Sequence, residues 1–226
     1  MFYFCYEKTM TLCLYFDDTS WLTCDATVVG HMPLGAGTAI ILDQTLFHPQ
    51  GGGQPADKGF VSWDGEQADL THVRLDGETI LHEMGASDPV PPIGTRITCH
   101  VDGPWREICA RTHTAAHLIA HVVAGLVPNA RPVRAHAFPH GAYVTFEGDM
   151  SAFDQTRFEA ALQGATSHNL SIEAFTDGGI RHVKIGDFPP TPCGGTHVTR
   201  TGDIGKVRLT RVKLKQDRIS LFFEVT

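Results

Sequence analysis

The sequence has no long apolar run, and its cysteines lack the paired spacing of a disulfide framework. The apolar stretch at residues 1–6 is much shorter than the roughly 18–20 residues that a membrane-spanning helix needs, and no signal-like segment follows it. Six cysteines are scattered over 226 residues, as is typical of proteins in a reducing compartment. These absences argue against a membrane protein and a disulfide-rich secreted protein, and they predict a globular protein of the cytoplasm.

The chain also lacks an excess of positive charge. It has 18 Lys and Arg against 25 Asp and Glu, a net charge of −7, whereas phosphate contacts supply most of the affinity of nucleic-acid-binding proteins. One part of the sequence is nevertheless rich in basic residues. This basic cluster is either a nucleic-acid contact or a solvated strand face. Its side-chain alternation shifts parity near Thr210, which predicts a bend. The cluster comprises Lys206, Arg208, Arg211, Lys213, Lys215 and Arg218, with Arg131, Arg134, Arg181 and Lys184 as candidate additions.

Helical periodicity is missing between about residues 10 and 100. Short runs with strand-like composition, separated by turn residues, predict a series of strands there, and a small β-barrel is the economical fold for them. The predicted strands cover residues 11–16, 23–29, 37–42, 59–63, 67–75, 78–84 and 96–100.

A helix follows the predicted barrel. The sequence Asp102-Gly103-Pro104 marks the domain boundary, because proline is favoured in the first turn of a helix. Apolar residues then recur with helical spacing over residues 105–126, and Pro128 ends the helix.

The remaining chain predicts an α+β domain. A second helix is expected from the N-cap Ser151 to residue 167, and helices are expected to cover one face of a largely antiparallel sheet. The predicted strands cover residues 143–146, 171–175, 181–185, 205–214 and 219–225. The fold class is therefore α+β, with an N-terminal β-barrel domain at 1–102 and an α+β domain at 103–226. Residues 1–9 are expected to be disordered, and Met10 is an alternative start.

Two short segments far apart in the chain each carry two metal-binding side chains separated by three residues. His113 and His117 occupy positions i and i+4 of the predicted helix, so both can bind one ion. Cys193 and His197 flank a Gly-Gly pair that lets a loop fold tightly. Because a mixed His/Cys set suits zinc better than copper or iron, the pattern predicts one Zn²⁺ per chain.

The helical pair lacks the glutamate of the metalloprotease signature H-E-x-x-H. Thr114 follows His113, so peptide hydrolysis with a glutamate base is not expected. A set of four protein ligands also leaves two alternatives open, because catalytic zinc keeps a position for water or substrate. The metal is either structural, or it loses a ligand or expands its coordination. His121 continues the same helix face and is either a competing ligand or a structural residue.

The predicted barrel domain contains the segment Gly51-Gly52-Gly53-Gln54. It lacks the Gly-Lys-Ser/Thr tail of a phosphate loop. Its two alternatives are a simple barrel turn and a loop whose backbone approaches a ligand closely while Gln54 points toward the metal site.

Taken together, these motifs resemble the editing domain shared by alanyl-tRNA synthetases and the free-standing alanyl-tRNA editing proteins of the AlaX type. The resemblance spans about residues 25–226, and its segments occur in the family's order. They are residues 43–59 (Asp-Gln-Thr-Leu-Phe-His-Pro-Gln-Gly-Gly-Gly-Gln-Pro-Ala-Asp-Lys-Gly), 113–118 (His-Thr-Ala-Ala-His-Leu), 192–198 (Pro-Cys-Gly-Gly-Thr-His-Val) and 201–205 (Thr-Gly-Asp-Ile-Gly).

The resemblance implies a zinc-dependent aminoacyl-tRNA hydrolase acting in translation fidelity on tRNA(Ala) mischarged with serine or glycine. It implies a trans-acting enzyme, because the other synthetase domains have no room in 226 residues. The tRNA is expected to be contacted mainly at its acceptor end, and no obligate protein partner is evident. The implied metal ligands are His113, His117, Cys193 and His197. The expected substrate-binding residues are Gly51, Gly52, Gly53, Gln54, Gly194, Gly195, Arg211 and Lys213.

Two departures from the family pattern leave the choice between serine and glycine open. His48 stands where tyrosine is common before Pro49, and residues 213–219 lack a frequent Arg-Arg pair. A site that selects serine needs a polar group for the substrate hydroxyl, since buried polar groups left unpaired reject alanine. The candidates for this role and for catalysis are Thr114, Thr196 and Gln54, and each is alternatively a residue that bonds only within the protein. No separate general base is apparent.

Two other functions remain open at this point. A Ser-tRNA(Thr) deacylase would use the same zinc motifs, because threonyl-tRNA synthetases have a similar editing domain, although the Gly-Gly-Gly-Gln segment argues for alanine. A non-catalytic, zinc-stapled RNA-binding module would also accommodate a closed set of four ligands.

Overall fold

The computed structural model describes residues 11–35, 37–215 and 218–226. The expectations for residues 1–9 and for a start at Met10 therefore lie outside the described residues. Contacts divide the chain into two units. The described part of the barrel unit consists of residues 11–35, 37–51 and 55–107, and that of the helix–sheet unit consists of residues 52–54, 108–215 and 218–226.

Six antiparallel strands of the barrel unit form a closed barrel in the order β2-β3-β7-β6-β5-β8, and the short β1 and β4 pair in parallel beside it. The strands are β1 Leu12–Cys13, β2 Thr23–Leu34, β3 Gly37–Leu42, β4 Gln44–Thr45, β5 Gly59–Trp63, β6 Glu66–Asp76, β7 Thr79–Met84 and β8 Arg96–Val101. Their inward side chains, among them Val28, Ile40, Val61 and Ile97, are fully or almost fully buried.

Strand β2 closes the barrel because it pairs with two neighbours in succession. Its first residues, Thr23 to Thr27, pair with β8, and the residues from Val28 to Leu34 pair with β3. The register shifts between Val28 and Gly30, and such a bulge bends a strand. The predicted strand at 23–29 was too short, since the sequence does not show that one strand serves two partners.

The predicted strand at residues 11–16 is wrong for its second half. Leu12–Cys13 is a strand, but Leu14–Phe16 forms a 3-10 helix. The tight turn lets Tyr15 enter the barrel core, where it is fully buried. Tertiary packing has here overridden the local preference of aromatic residues for strands.

The helix–sheet unit contains two sheets and most of the first helix. Strands β14-β15-β10-β9 form a four-stranded sheet, and β11-β12-β13 form a three-stranded one, both antiparallel. The elements are α1 Gly103–Leu126, β9 Arg131–His136, β10 Ala142–Glu147, α2 Gln155–Ser167, β11 Ile172–Asp177, β12 Ile180–Ile185, β13 Thr191–Pro192, a 3-10 helix Thr201–Ile204, β14 Val207–Lys215 and β15 Arg218–Val225. The first residues of α1, up to Glu107, belong to the barrel unit.

A single hydrophobic cluster unites the helices with one face of the four-stranded sheet. Leu118 and Ile119 of α1 and Phe158 of α2 pack in the same cluster as Phe146 of β10 and Leu221 of β15. In the described residues, no helix is long and apolar enough to cross a membrane.

Two local expectations had opposite outcomes. The predicted bend near Thr210 is confirmed, because the register of β14 against β15 shifts between Leu209 and Arg211. The predicted N-cap Ser151 is wrong. Asp154 caps α2 by accepting a hydrogen bond from Arg157 N–H at 2.8 Å, whereas the backbone N–H of Ser151 donates to Asp149 in the preceding turn.

Candidate metal centre

Helix α1 presents His113 and His117 on one face, one turn apart. Their ring centroids lie 5.0 Å apart, as expected for positions i and i+4. The three residues between them, Thr114, Ala115 and Ala116, are buried, so this part of the helix is packed against the rest of the protein. The sequence therefore sets the position of two ligands through helical geometry alone.

The loop after β13 carries the other two ligands and is held by Arg181 of β12. Cys193 N–H donates to the Arg181 carbonyl oxygen at 2.9 Å. The Arg181 guanidinium in turn donates to the carbonyl oxygens of Cys193, at 3.1 Å, and Gly195, at 2.9 Å. Because the guanidinium satisfies two loop carbonyls at once, it fixes the path of the chain between Cys193 and His197.

Gly195 allows this loop to lie against α1. A Cβ at this position would overlap the ring of His113 and would lie 2.7 Å from Gln54 Oε1. Any larger residue would force the loop or the ring to move. The second glycine of the Gly-Gly pair is therefore required by close packing.

The four predicted ligands converge. The ligand atoms of His113, His117, Cys193 and His197 all lie within 4.8 Å of one another. Cys193 Sγ is 3.1 Å from His197 Nε2 and 3.7 Å from His113 Nε2. Three imidazole nitrogens and one thiol sulfur at these separations fit a tetrahedral zinc ion. His113 and His197 are buried, whereas His117 and Cys193 retain some exposure, so solvent reaches the cluster from the side of the latter pair.

Gln54 fixes the tautomer of His113. Its Oε1 accepts the backbone N–H of Thr196 at 3.0 Å, which identifies this atom as the amide oxygen. His113 Nδ1, 2.7 Å from the same oxygen, must then carry the hydrogen and donate it. The unprotonated Nε2 consequently faces the other ligands, as a metal-binding histidine requires.

Thr114 does the same for His197. Its hydroxyl donates to the carbonyl oxygen of Ala110 at 2.7 Å, so its oxygen can only accept from His197 Nδ1 at 3.1 Å. Val198 N–H donates to the same oxygen at 3.3 Å. His197 therefore also directs an unprotonated Nε2 toward the cluster.

Burial keeps Cys193 and His117 in their neutral forms when no cation is bound. Burial raises the pKa of the Cys193 thiol to about 11, opposed by the Gly195 N–H and by the Arg181 charge. Burial, with smaller effects of His113 and His121, lowers the pKa of His117 well below its usual range. At neutral pH, His117 can therefore donate a lone pair directly, whereas Cys193 must lose a proton to bind a metal.

The loop that carries Gln54 is held against β9 in the same unit. Ala137 N–H donates to the carbonyl oxygen of Gly53 at 2.7 Å. Gly53 has φ +87°, and a Cβ there would lie 2.8 Å from the Ala135 oxygen. Glycine is needed for both reasons, the positive φ and the close approach.

The chain is similar to tRNA synthetases over most of its length. A family model described as tRNA synthetases class II (A) matches residues 10–105, and one described as the threonyl and alanyl tRNA synthetase second additional domain matches residues 180–220. The alanine–tRNA ligase of Haloquadratum walsbyi is 30% identical over 91% of this chain and 24% of its own length. That of Korarchaeum cryptofilum is 30% identical over 92% and 25%, and that of Methanopyrus kandleri is 27% identical over 94% and 26%.

The chain is related to the editing module of alanyl-tRNA synthetases. It spans about a quarter of the length of the curated relatives it matches. The match extends over both contact units, since the first family model lies at the barrel and the second includes the ligand loop.

The structure of this module brings some predicted residues together and leaves others apart. Gln54, Thr114 and Thr196 all lie beside the cluster, and Gln54 Nε2 donates to Thr196 Oγ1 at 2.8 Å. His121 is not among the four clustered residues, and its ring stacks on Phe188 with centroids 4.9 Å apart. Gly52 and Gly53 belong to the helix–sheet unit with Gln54, whereas Gly51 belongs to the barrel unit. Gly194 lies in the ligand loop and is partly buried.

The basic residues that were predicted to form a cluster differ in their exposure. Arg211 and Lys213 are exposed on β14, and Arg131 and Arg134 are exposed on β9 of the same sheet. Arg181 is 8% exposed and holds the ligand loop, so its place among surface cations was wrong. The sequence offered only one signal for its role in the module, namely its position on a strand shortly before the Cys-Gly-Gly segment.

Proposed function

We propose that this chain is a trans-editing hydrolase of the cytoplasm that cleaves the aminoacyl ester of mischarged tRNA(Ala), chiefly Ser-tRNA(Ala) and also Gly-tRNA(Ala). The observation that carries the proposal is the convergence of His113, His117, Cys193 and His197 in a chain related to alanine–tRNA ligases. The orientation of two of these histidines by Gln54 and Thr114 supports it, because an incidental group of histidines has no need of defined tautomers.

The four residues would hold one Zn²⁺ per chain. When bound, the ion supplies electrophilic polarisation and orientation of the aminoacyl ester, or activation of water. The residues around it do the positioning. Gln54 and Thr114 keep the imidazole lone pairs directed inward, and Arg181 and Gly195 keep Cys193 against them. Because esters are already labile, orientation and electrophilic assistance suffice as a source of rate.

The glycine segment gives the substrate access to the cluster. Gly51 and Gly52 carry no Cβ, and a Cβ at Gly52 would meet no protein atom within 4 Å, so the terminal adenosine of the tRNA can approach their backbone closely. Gly194 would give the ligand loop the same property, whereas Gly53 and Gly195 act indirectly by letting their loops pack against Ala135 and His113. The two glycine loops and Gln54 would line the aminoacyl end, while Arg211 and Lys213 would contact phosphates of the acceptor end.

Thr196 is the stronger candidate for recognition of the serine hydroxyl. The Thr114 hydroxyl proton is committed to the Ala110 carbonyl, and its oxygen faces His197, so Thr114 acts by positioning a ligand. The Thr196 oxygen accepts a hydrogen bond from Gln54, a contact that does not use the Thr196 hydroxyl proton. A hydroxyl that donates to serine would be left unpaired with alanine, which gives the selectivity an editing site needs.

A zinc-stapled RNA-binding module without catalysis is the second candidate, favoured by the closed set of four ligands. The same residues would then hold a structural metal, and the partial exposure of His117 and Cys193 would have no role in catalysis. A Ser-tRNA(Thr) deacylase remains a third outcome, since the matched second additional domain is described for threonyl and alanyl enzymes together.

The deciding experiment is deacylation by the full chain of Ser-, Gly- and Ala-tRNA(Ala) and of Ser-tRNA(Thr). We expect release of serine and glycine from tRNA(Ala), with little release of alanine. His117→Ala and Cys193→Ser should lose both bound zinc and activity, whereas the exposed control His168→Ala and the barrel control Cys24→Ser should keep both. Zinc binding without hydrolysis of any substrate would contradict the enzyme and support the binding module. Hydrolysis of Ser-tRNA(Thr) alone would reassign the substrate.

A further inference from the structure

The four-stranded sheet has one face in the hydrophobic core and one face away from it. Along β10 and β15, every second side chain is buried, for example Val144 and Leu221. The side chains between these buried ones point to the other side of the sheet. We call this side the open face. The open face consists of Arg208, Arg211, Lys213 and Lys215 of β14, Arg218, Ser220, Phe222 and Glu224 of β15, Tyr143, Thr145 and Glu147 of β10, and Arg131, Arg134 and His136 of β9.

A row of flat side chains crosses this face from one edge strand to the other. The strand register sets Arg211 opposite Phe222, Phe222 opposite Tyr143, and Tyr143 opposite His136. The Arg211 guanidinium lies 3.9 Å from the centre of the Phe222 ring. Ring centroids are 5.2 Å apart between Phe222 and Tyr143 and 5.5 Å apart between Tyr143 and His136. None of the three rings is fully buried.

Positive charge surrounds the row although the chain as a whole is negative. The two acidic members of the open face are already paired, Glu224 with Arg208 and Glu147 with Arg218. The other five cations are exposed, and in the described part of the chain none of them is in an ion pair. They are Arg131, Arg134, Arg211, Lys213 and Lys215. The surplus is thus local to one surface of a chain with net charge −7.

A series of contacts within this unit connects one end of the row, at His136, with the metal cluster. His136 follows Ala135, whose carbonyl is packed against Gly53. Gln54 follows Gly53, accepts a hydrogen bond from His113 of the cluster and donates one to Thr196 beside it. A ligand that lies on the row and extends past His136 would therefore approach the Gly53 loop, which contacts the cluster through Gln54.

We propose that the open face binds unpaired RNA nucleotides, with bases stacked on Phe222 and Tyr143 and phosphates contacted by Arg134, Arg211 and Lys213. Sheets that bind single-stranded RNA stack bases on aromatic side chains of neighbouring strands, and adjacent cations follow the backbone. An RNA duplex hides the faces of its bases, so it could use the cations but not the rings. The identification of this RNA with the unpaired 3′ end of a tRNA rests on the proposed function, whereas the binding itself does not.

The test uses the full chain and an uncharged, fluorescein-labelled single-stranded oligoribonucleotide that ends in CCA, with a blunt RNA hairpin as competitor. Fluorescence anisotropy gives the affinity of each variant. Tyr143→Leu with Phe222→Leu should weaken binding of the single strand by about fivefold to a hundredfold for each base that loses its stacking partner. Tyr143→Phe with Phe222→Tyr should restore it. The matched control is Phe175→Leu, which changes an exposed aromatic on β11 of the other sheet.

A second arm tests the charges. Arg134→Gln and Lys213→Gln should each reduce the slope of log affinity against log salt concentration by about 0.7. Lys184→Gln on β12 should leave that slope unchanged. The hairpin should compete poorly at moderate salt, because it gains only the electrostatic part of the interaction.

The outcomes separate this inference from the proposed enzyme. Binding is measured without an aminoacyl group and is repeated in Cys193→Ser, so it does not depend on hydrolysis. Loss of affinity in the leucine pair with rescue in the aromatic pair supports the open face as the RNA site, even if no deacylation is found. Unchanged affinity in the leucine pair, or equal binding of single strand and hairpin, overturns it, even if deacylation is confirmed.

Discussion

Each of the two units buries a group of polar side chains, and the two groups are balanced in different ways. In the barrel unit, Asp57 faces Arg106, which donates to both carboxylate oxygens at 2.9 and 2.6 Å. Arg106 also donates to the carbonyl oxygens of Thr19 and Leu46, and Asp57 accepts the backbone N–H of His48. In the helix–sheet unit, the cluster consists of three imidazoles and one thiol, with no opposite charge among its four members.

This difference shows which of the two buried polar groups has its charges neutralised and its hydrogen-bonding atoms satisfied without a ligand. A carboxylate and a guanidinium neutralise each other, and their hydrogen bonds satisfy the remaining atoms. Three imidazole nitrogens and one thiol form a set of electron-pair donors that suits a cation. The barrel pair therefore serves the structure of its own unit, whereas the cluster is a group that could hold a metal ion.

The largest effect is expected when the barrel pair is broken. Asp57→Asn leaves Arg106 buried without a counter-charge, which typically destabilises by about 3–5 kcal/mol. Cys193→Ser in zinc-free protein should change stability by less than about 1 kcal/mol, because the thiol it replaces is neutral there. All three tryptophans, Trp21, Trp63 and Trp105, lie in the barrel unit, so urea unfolding followed by their fluorescence reports the effect of Asp57→Asn, while circular dichroism of the whole chain reports the effect of Cys193→Ser in the other unit. Equal destabilisation by both substitutions would contradict the contrast.

A pH titration extends the comparison to buried histidines. Burial lowers the pKa of His82 in the barrel to about 4, while its ring nitrogens face Thr45 Oγ1 and the Ile40 carbonyl. As the pH falls from about 6.5 toward 4, the unfolded chain binds a proton that folded His82 does not, so stability is lost over this window. The loss should reach about 3 kcal/mol.

The His82→Gln variant should flatten the dependence of the tryptophan-detected midpoint on pH between about 6.5 and 4. The exposed control His168→Gln should leave that dependence as it is. Adding zinc should not alter the slope in the barrel unit, because His82 is not a metal ligand. If the slope is the same in His82→Gln and in the parent chain, the burial of neutral His82 does not govern acid stability.

The next largest effect is expected on zinc affinity, when the close packing of the ligand loop is disturbed. Gly195→Ala places a Cβ against the His113 ring and Gln54, so the loop must shift away from α1. Zinc affinity should fall about tenfold to a hundredfold, as it does when supporting contacts of a metal ligand are disturbed. Gly164→Ala on α2 meets nothing within 4 Å and should slightly raise stability without changing affinity. Competition with a chromogenic chelator measures both. Unchanged affinity in Gly195→Ala would show that the loop adapts freely.

Features that are encoded by residues close together in the chain could be predicted from the sequence. The i, i+4 spacing of His113 and His117 and the glycines beside Cys193 are encoded in a few adjacent residues, so the cluster could be predicted. The bend at Thr210 could also be predicted, since a bulge changes the parity of side chains within one strand.

Features that depend on partners distant in sequence were missed. Strand β9 has mostly exposed residues and contains Pro132, and its apolar pattern is too weak to identify an edge strand. The role of Arg181 arises from carbonyls that approach it only after β12 and β13 pair. The row formed by Arg211, Phe222 and Tyr143 likewise exists only once the register of three strands is set.

The smallest expected effect separates two threonines that look equivalent in sequence. Thr114 orients His197 through its Nδ1 hydrogen, whereas Thr196 receives a hydrogen bond from Gln54 without using its own hydroxyl proton. Thr114→Val should therefore lower zinc affinity, and it should reduce deacylation of serine and glycine substrates by the same factor. This result would place Thr114 among the residues that position the metal ligands.

Thr196→Val keeps the shape of the side chain and removes the group proposed to read the substrate hydroxyl. Loss of one such hydrogen bond should cost about 1–2 kcal/mol for Ser-tRNA(Ala), or about five- to thirtyfold in kcat/KM. Gly-tRNA(Ala) has no hydroxyl to lose, so its kcat/KM should change little, provided that zinc content is verified in both variants. Equal losses on serine and glycine substrates in Thr196→Val would show that this hydroxyl does not read the side chain, and Gln54 or backbone groups of the glycine loops would then be the readers.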